Sequence, residues 1–269
     1  MQLARSRKVV LLGVVLLAAG LAGRASADTT TNHPTAAPSA SSPSVPVKKP
    51  SVTKPPAKKT ATPVSARTGP AGSRMTTGGK GVALTFDDGP DPAQTPRILQ
   101  LLAQQHIHAT FCLVGRNAQK HPELVRAIVA GGHTLCNHTW SHSLTVGKQS
   151  RAKMTADLQR TSAAILRAAP KAKLKYFRAP GGNFTPALVN TAKQMGMTSI
   201  YWKVDPRDWD HPKGETHAQH QQRIISMVCH NTHSGAIVLS HDFGQPDTIT
   251  AYQKIIPALK KKYQLVALP

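Results

Sequence analysis

Acidic residues are scarce in this 269-residue chain. It contains 12 Asp and Glu against 34 Lys and Arg, which gives a formal net charge of +22 at pH 7. A surplus of positive charge of this size is typical of nucleic-acid-binding proteins. However, the sequence has no helix-turn-helix, zinc-finger or aromatic–basic RNA motif, and its N-terminus indicates export. We therefore predict that nucleic acid is not a partner.

Cysteine is also rare, because the chain has only three such residues, Cys112, Cys136 and Cys229. Three cysteines exclude a disulfide framework of the kind that holds small secreted domains together. Cys112 and Cys136 fall in neighbouring predicted strands. They could form a bridge in an exported protein, or be two small buried hydrophobic side chains. Cys229 is predicted to be free.

Long apolar runs are rare as well, and the one from Val9 to Ala22 is short for a membrane span. A basic segment, residues 5–8, precedes it, and Ala25-Ser26-Ala27 follows as a small-residue cleavage site. This order predicts a signal peptide over residues 1–27, a secreted protein, and no stable membrane span after cleavage. An uncleaved membrane anchor is the alternative.

Residues 28–76 are rich in Pro, Ser, Thr, Ala and Lys and predict a disordered linker, because such a segment buries too little apolar surface to fold. Its lysines make it basic. A basic tether suits attachment to an anionic cell-wall polymer, and a plain spacer is the alternative. Residues 77–269 are long enough for one domain with a sizeable core.

Short apolar runs alternate with helix-like segments along this domain. Strands are predicted at residues 81–86, 109–114, 134–137, 174–178, 198–204, 236–240 and 264–267. Helices are predicted at residues 96–105, 122–130, 150–169, 186–195, 219–229 and 248–260. Repeated strand–helix units indicate a parallel sheet covered by helices. The sequence leaves open a closed βα barrel and an open doubly wound sheet.

Polar residues follow five of these strands directly. They are Asp87 and Asp88, His138, Arg178, the segment from Asp205 to Trp209, and His241. In a βα barrel the carboxyl ends of the strands share one face, where functional residues collect. We therefore expect these side chains to lie at one rim.

Two of these segments together predict a metal site. Asp87 and Asp88 lie in Thr85-Phe86-Asp87-Asp88-Gly89-Pro90, and the pair His138 and His142 lies about fifty residues further on. Two imidazoles and one carboxylate can bind one face of a divalent metal and leave the other face open for water and substrate. The second carboxylate then stays free to move protons. This layout is typical of a hydrolase.

The strings TFDDGP, NHTWSH, FRAPGG, DPRDW and VLSHD, in that order, resemble the five motifs of the polysaccharide deacetylase (NodB-homology) family, carbohydrate esterase family 4. The resemblance covers roughly residues 77–269. It implies a distorted (β/α)7 barrel and a metal-dependent deacetylase, with zinc the first expectation among divalent metals. The implied substrate is an acetylated amino-sugar polysaccharide, peptidoglycan first and chitin oligomers second.

The resemblance also implies a role for each matching residue. Asp88, His138 and His142 would be the metal ligands, and Asp87 the general base. Arg178 would orient that base.

On the other side of the site, His241 would be the general acid and Asp208 its partner. Trp209 and Leu239 would line a pocket for the acetyl methyl group. The backbone N–H of Gly181 would stabilise the oxyanion. The family often has a bulky aromatic residue at this last position. Glycine leaves no side chain there to form a wall of the sugar site.

Three other functions are weighed against the leading one. The same residues acting on an ester would give an acetylxylan esterase, and a defective site would give a non-catalytic cell-wall-binding module. A zinc peptidase is disfavoured, because the helix signature H-E-x-x-H needs a glutamate where Thr139 stands. His133 is interpreted as packing or a second-shell group, and the other histidines outside the motifs are assigned no role.

Overall fold

The computed structural model describes residues 68–269. The predicted signal peptide and most of the predicted linker lie outside the described residues. Within residues 68–269, no helix combines the length and the apolar character needed to cross a bilayer.

Seven parallel strands form the centre of the domain. They are β1 (Val82–Asp87), β2 (Thr110–Leu113), β3 (Thr134–Asn137), β4 (Leu174–Phe177), β5 (Thr198–Ser199), β6 (Ile237–His241) and β7 (Leu265–Val266). Their order is β5-β4-β3-β2-β1-β6, and β7 pairs with the start of β1. The register places Asp87 beside both Cys112 and His241. The strands thus deliver their last residues to a common edge.

Helices connect the strands and pack around the sheet. They are α1 (Thr95–Gln104), α2 (Gly115–Lys120), α3 (Pro122–Ala130), α4 (Arg151–Ala168), α5 (Pro186–Gln194), α6 (His217–Asn231) and α7 (Pro246–Lys260). Their apolar faces meet buried strand residues such as Leu84, Phe86 and Phe111 in the main core. Local sequence signals determine where several of these helices begin. For example, Thr216 and Gln219 form a capping box at the start of α6.

The sheet curls and closes irregularly, which confirms the distorted (β/α)7 barrel. Strand β5 ends at Ser199, so the strand predicted over residues 198–204 is shorter than expected. The chain beyond it still reaches β6, because Val204 forms an isolated parallel bridge with Val238. Residues 74–76 fill the same gap, where Arg74 pairs with Ile200 and Thr76 with Ala236.

The pairing of Arg74 and Thr76 with the sheet shows that the folded domain begins earlier than predicted. The prediction placed residues 68–76 in the linker, yet Pro70–Gly72 form a 3-10 turn and Ser73 is buried. The short helix α2 was also missed, because its six residues carry no apolar periodicity long enough to detect. The other helices lie within two residues of their predicted bounds.

A disulfide joins Cys112 of β2 to Cys136 of β3. The two residues are register partners, so their side chains point to the same side of the sheet. That side is the barrel interior, where both cysteines belong to a second buried cluster together with Tyr176, Ile237 and Leu268. Cys229 is a free thiol, as predicted.

Candidate active site

The carboxyl ends of the strands bring Asp88, His138 and His142 together. Oδ1 of Asp88 lies 3.3 Å from Nε2 of His138 and 3.3 Å from Nε2 of His142. One ligand atom from each of these residues lies within 4.8 Å of the other two. His138 is buried, whereas His142 and Asp88 are partly exposed. The cluster is therefore buried in the barrel on the side of His138 and accessible to solvent on the side of Asp88 and His142.

Backbone geometry at this cluster is unusual. Asp88, Thr139 and His142 have φ angles of 75°, 64° and 58°, in the left-handed region that non-glycine residues rarely adopt. Such conformations persist only where surrounding contacts fix them, and they concentrate at functional sites. The Asn117 side chain donates to the Asp88 carbonyl oxygen at 2.8 Å, and Thr139 N–H donates to Asn137 at 3.0 Å.

The charges around Asp88 favour its ionised form. Burial alone would raise the pKa of Asp88, but the close approach of His138 and the charges of the nearby histidines hold the pKa well below its usual range. Burial lowers the pKa of His142. For His138, the opposing charges of Asp87 and Asp88 outweigh burial and raise the pKa.

These residues fit a divalent metal. Oδ1 of Asp88 is buried and has no hydrogen-bond partner within residues 68–269, although it lies between two imidazole nitrogens. Nδ1 of His138 lies 2.8 Å from the carbonyl oxygen of Arg178, so Nδ1 carries the proton and Nε2 offers its lone pair to the cluster. Two imidazoles and one carboxylate are a common ligand set of catalytic zinc sites.

Asp87 is held apart from this ligand set by Arg178. One guanidinium nitrogen of Arg178 donates to Oδ1 of Asp87 at 2.6 Å and to Thr85 at 2.8 Å. Both charged side chains are almost fully buried. Oδ2 of Asp87 lies 3.7 Å from Nε2 of His138, beside the ligand cluster. A buried carboxylate with a fixed counter-charge keeps one orientation.

His241 and Asp208 form a second pair across the site. Oδ1 of Asp208 lies 2.8 Å from Nδ1 of His241, and Oδ2 accepts from the His241 backbone N–H at 2.8 Å and from Thr248 at 2.7 Å. Burial alone would lower the pKa of His241, but the charge and hydrogen bond of Asp208, helped by Asp88 and Asp87, raise it to about 10. The imidazole is therefore charged at neutral pH.

A cavity of about 450 Å³ joins these groups. The predicted residues that line it are Asp87, Asp88, His138, His142, Gly181, Trp209, Leu239 and His241. Arg178 and Asp208 lie behind it, fully buried. Gly181 has a φ of 59°, and its backbone N–H donates to no acceptor within the described residues. All ten predicted site residues thus meet at one cavity, while their individual roles stay predictions.

Three residues that line the cavity were not predicted: Leu144, Asn183 and Trp202. Asp205 also lines it, as expected of the segment from Asp205 to Trp209, although it was given no role of its own. Leu144 follows His142 by two residues, and Asn183 follows Gly181 by two. Proximity to the motifs was the only signal available for either of them. Trp202 stacks on Tyr201 with ring centroids 3.9 Å apart, a contact that depends on the irregular chain after β5.

Asp242 is a further buried acid that was missed, although it directly follows His241. Its side chain contacts Gly89, where an added Cβ would lie 2.5 Å from either carboxylate oxygen. Burial raises the pKa of Asp242 to about 7, and the nearby acids Asp88, Asp87 and Asp91 add to this, while a hydrogen bond from Thr95 opposes it. The glycine in TFDDGP is therefore required by packing.

Within residues 68–269, the other histidines do not line the cavity. His133 is buried away from it, and its Nδ1 accepts from the Ala109 N–H at 3.1 Å, which fits the predicted packing role. Burial, with a contribution from His108, lowers its pKa to about 4. His217 pairs with Asp247 at 2.7 Å on the side of α7.

Comparison with known proteins places this geometry in a family. Residues 74–200 match the family described as polysaccharide deacetylase. The chain is 38% identical over 192 residues to a peptidoglycan-N-acetylglucosamine deacetylase of Bacillus cereus, covering 70% of this chain and 85% of that protein. It is 34% identical over 198 residues to a chitooligosaccharide deacetylase of Sinorhizobium fredii, covering 69% and 88%.

A solved structure gives the same result. The family 4 carbohydrate esterase from Streptomyces lividans, in complex with acetate, superposes with a TM-score of 0.61 and 31% sequence identity. The match covers 70% of this chain and 92% of that one. Relatives this similar, aligned over most of their own length, show that the chain belongs to the polysaccharide deacetylase family of hydrolases.

Proposed function

We propose that this protein is a secreted, metal-dependent deacetylase that removes N-acetyl groups from polymers of N-acetylglucosamine. The metal is zinc, and peptidoglycan is the substrate ahead of chitin oligomers. One observation carries the proposal. Oδ1 of Asp88 lies 3.3 Å from two imidazole nitrogens, while its neighbour Asp87 is held outside this set by Arg178.

Asp88, His138 and His142 would hold the metal, and Asp87 would act as the general base. When bound, a divalent cation supplies Lewis-acid chemistry, polarising the acetyl carbonyl and acidifying water at the open face of the site. Asp87 takes the proton from that water as it attacks the carbonyl carbon. One carboxylate would serve poorly in both roles, because coordination lowers its basicity.

His241 would supply the second proton. As the carbon–nitrogen bond breaks, the amine nitrogen accepts the proton from Nε2 of His241, and acetate and a free amino sugar are the products. Asp208 keeps the proton-donating form populated, because it binds Nδ1 and raises the pKa of the ring to about 10. A general acid must carry its proton when the leaving group departs.

Gly181, Trp209 and Leu239 would bind the acetyl group itself. The unpaired Gly181 N–H is the donor for the oxyanion that develops on the carbonyl oxygen. Leu239, on β6, and Trp209 line the cavity beside His241 and suit the acetyl methyl group. A backbone donor serves with any side chain, so the glycine at this position keeps the function.

The substrate class is supported by the relatives. The two curated proteins described above act, by their names, on peptidoglycan N-acetylglucosamine and on chitooligosaccharides. The signal-like N-terminus and basic linker favour a polymer outside the cell, with the cell wall as the place of attachment. This is why peptidoglycan ranks before chitin.

A substrate screen tests the proposal. Purified protein beginning at Asp28 is incubated with acetylated glucosamine oligomers, peptidoglycan glycan fragments and acetylxylan, and mass spectrometry follows the loss of one acetyl group per sugar. We expect loss from the two amino-sugar substrates. Exhaustive chelation should abolish the reaction, and zinc should restore it.

Three outcomes would contradict the proposal. Acetate release from acetylxylan alone would replace the N-deacetylase by an O-acetyl esterase. Unchanged activity after chelation would remove the role of the metal. Full metal loading without turnover on any of the three substrates would instead favour the non-catalytic cell-wall-binding module.

A further inference from the structure

A second depression adjoins the catalytic cavity. It has a volume of about 340 Å³ and is lined by Leu144, Thr145, Gly147, Lys148, Asn183, Phe184 and Thr185. We call it the neighbouring depression. Leu144 and Asn183 line both it and the catalytic cavity, so the two are continuous at these residues. A polymer seated in one would extend over the other.

The position of Leu144 depends on Gly181. A Cβ built on Gly181 would lie 3.0 Å from Cδ2 of Leu144, tighter than ordinary van der Waals contact. Leu144 therefore occupies space that a side chain at residue 181 would need. It is also one of three large hydrophobic residues exposed in the described part of the chain, at 53%. An exposed leucine between two depressions is suited to packing against a sugar face.

The floor of the neighbouring depression is fixed by contacts between two loops. The Asn183 side chain donates to the Leu144 carbonyl oxygen at 3.1 Å, and Thr185 donates to the Gly147 carbonyl oxygen at 3.0 Å. Val146 is buried in the core below, which anchors the turn that carries Thr145 and Lys148. The depression is therefore formed before any ligand arrives, which reduces the entropy cost of binding.

Lys148 gives the neighbouring depression a positive charge. The side chain is exposed, and within residues 68–269 it makes no hydrogen bond or ion pair with another side chain. No acidic residue lines the depression. Its amine is thus available to an anionic group on a ligand. A neutral glucosamine unit offers no such group, whereas a sugar that carries a carboxylate substituent does.

We infer that the neighbouring depression binds the sugar unit next to the one being deacetylated, and that Lys148 contacts a carboxylate borne by that unit. This inference rests on the proposed function and narrows it. The polymer would alternate a neutral acetylated glucosamine, placed in the catalytic cavity, with a carboxylate-bearing sugar in the neighbouring depression. Leu144 would pack between the two units.

Binding is best measured in the Asp87→Asn background, because turnover then does not consume the ligand. Thr145→Trp should fill the neighbouring depression and raise the Kd for an acetylated glucosamine tetramer about tenfold. Gln149→Trp, on the same loop but outside both depressions, is the matched control and should leave the Kd unchanged. Both variants should keep the native melting temperature, because residues 145 and 149 are exposed, so a change in Kd reports binding and not folding.

Charge recognition has its own test. Lys148→Ala should raise the Kd for a glycan fragment with carboxylate-bearing sugars about two- to fivefold, the range expected of an exposed ion pair, and leave the neutral tetramer unaffected. Lys153→Ala, which removes an exposed lysine outside the neighbouring depression, should change neither value. The effect of Lys148→Ala should also fade at high salt.

The inference would be overturned in either of two ways. If Thr145→Trp binds the tetramer as tightly as the Gln149→Trp control does, the neighbouring depression is not a sugar site. If Lys148→Ala weakens the binding of both ligands equally, Lys148 does not recognise a carboxylate. Neither result depends on turnover, so both are distinct from a failure of the deacetylase proposal, which the substrate screen would reveal.

Discussion

The carbonyl oxygen of Arg178 lies 2.8 Å from Nδ1 of His138, while the guanidinium of the same arginine donates to Asp87 at 2.6 Å. One residue at the end of β4 therefore fixes both a proposed metal ligand and the proposed base. Its backbone selects the tautomer of the histidine, and its side chain supplies the counter-charge of the acid. The two roles are separable, because only the second depends on the side chain.

Replacing Arg178 should therefore uncouple these roles. In Arg178→Met the buried carboxylate of Asp87 loses its counter-ion, and we expect a loss of about 3–5 kcal/mol in the free energy of unfolding. Metal binding should persist, because the backbone carbonyl remains. Urea denaturation and metal titration measure the two effects. Arg167→Met, at an exposed arginine of α4, is the control, and equal stability of the two variants would contradict the buried ion pair.

Asp87→Asn should abolish turnover and keep the metal. The amide cannot accept the proton of water, and loss of a general base typically lowers kcat about 10²- to 10⁴-fold. His138→Ala should lose both metal and turnover, because it removes a ligand. Metal content and acetate release, measured on both variants, distinguish these outcomes. Near-native rates in Asp87→Asn would show that another group is the base.

Asp208→Asn should shift the alkaline limit of activity to lower pH. In the native protein the pKa of His241 is about 10, so the proton-donating form persists until the pH approaches that value. Without the Asp208 charge, burial dominates and lowers the pKa. The profile of kcat/KM against pH, at equal metal occupancy, measures the shift. Asp210→Asn, at a more exposed acid two residues away, should leave the limit unchanged.

The same pKa has a consequence for stability. The pKa of His241 in the folded protein lies above the ordinary value of 6.5, so the protonated ring stabilises the folded state. This contribution to the free energy of unfolding is fully present below about pH 6.5 and is lost as the pH rises through about 10. Asp208→Asn should remove this alkaline loss. An alkaline unfolding curve that is identical in the variant and in the native protein would argue against the pair.

Asp242 should make the metal-free protein less stable as the pH rises from about 4 to about 7. Its pKa is raised from 3.8 to about 7, so in this range the unfolded chain has lost a proton that the folded chain keeps. The full effect is on the order of 4 kcal/mol. Asp242→Asn should flatten this slope, measured by urea denaturation across the range. A slope that persists in the variant would assign it to other groups.

The sequence predicted that Asp88, His138 and His142 lie together, because each part of this cluster has a local signal. TFDDGP and the two histidines of NHTWSH are contiguous strings, and each follows a strand whose apolar run is easy to detect. The parallel register then brings Asp87 beside His241, which spacing along the chain could not show. Strand–helix alternation was enough for the sheet, but closure of the barrel depends on isolated bridges, such as those of Val204 with Val238 and of Arg74 with Ile200.

The missed residues are those whose position depends on tertiary contacts. Leu144 is an ordinary leucine in sequence, and it reaches the cavity only because Gly181 leaves space above it. Asp242 could have been taken for a surface acid, yet it is buried against Gly89. Residues 68–76 have the composition of the linker that precedes them, and they join the domain through backbone pairing with Ile200 and Ala236.

The Cys112–Cys136 bridge bears on how the protein should be produced. It closes a loop of 24 residues between two strands, and cross-links of this size stabilise by about 3 kcal/mol. Protein made in a reducing cytosol would lack it, yet backbone pairing between β2 and β3 would still align the proposed catalytic residues. Protein from the cytosol and exported protein should then have the same kinetics at low temperature, but the cytosolic protein should unfold at a lower temperature. A melting curve would therefore show in which compartment a preparation was made.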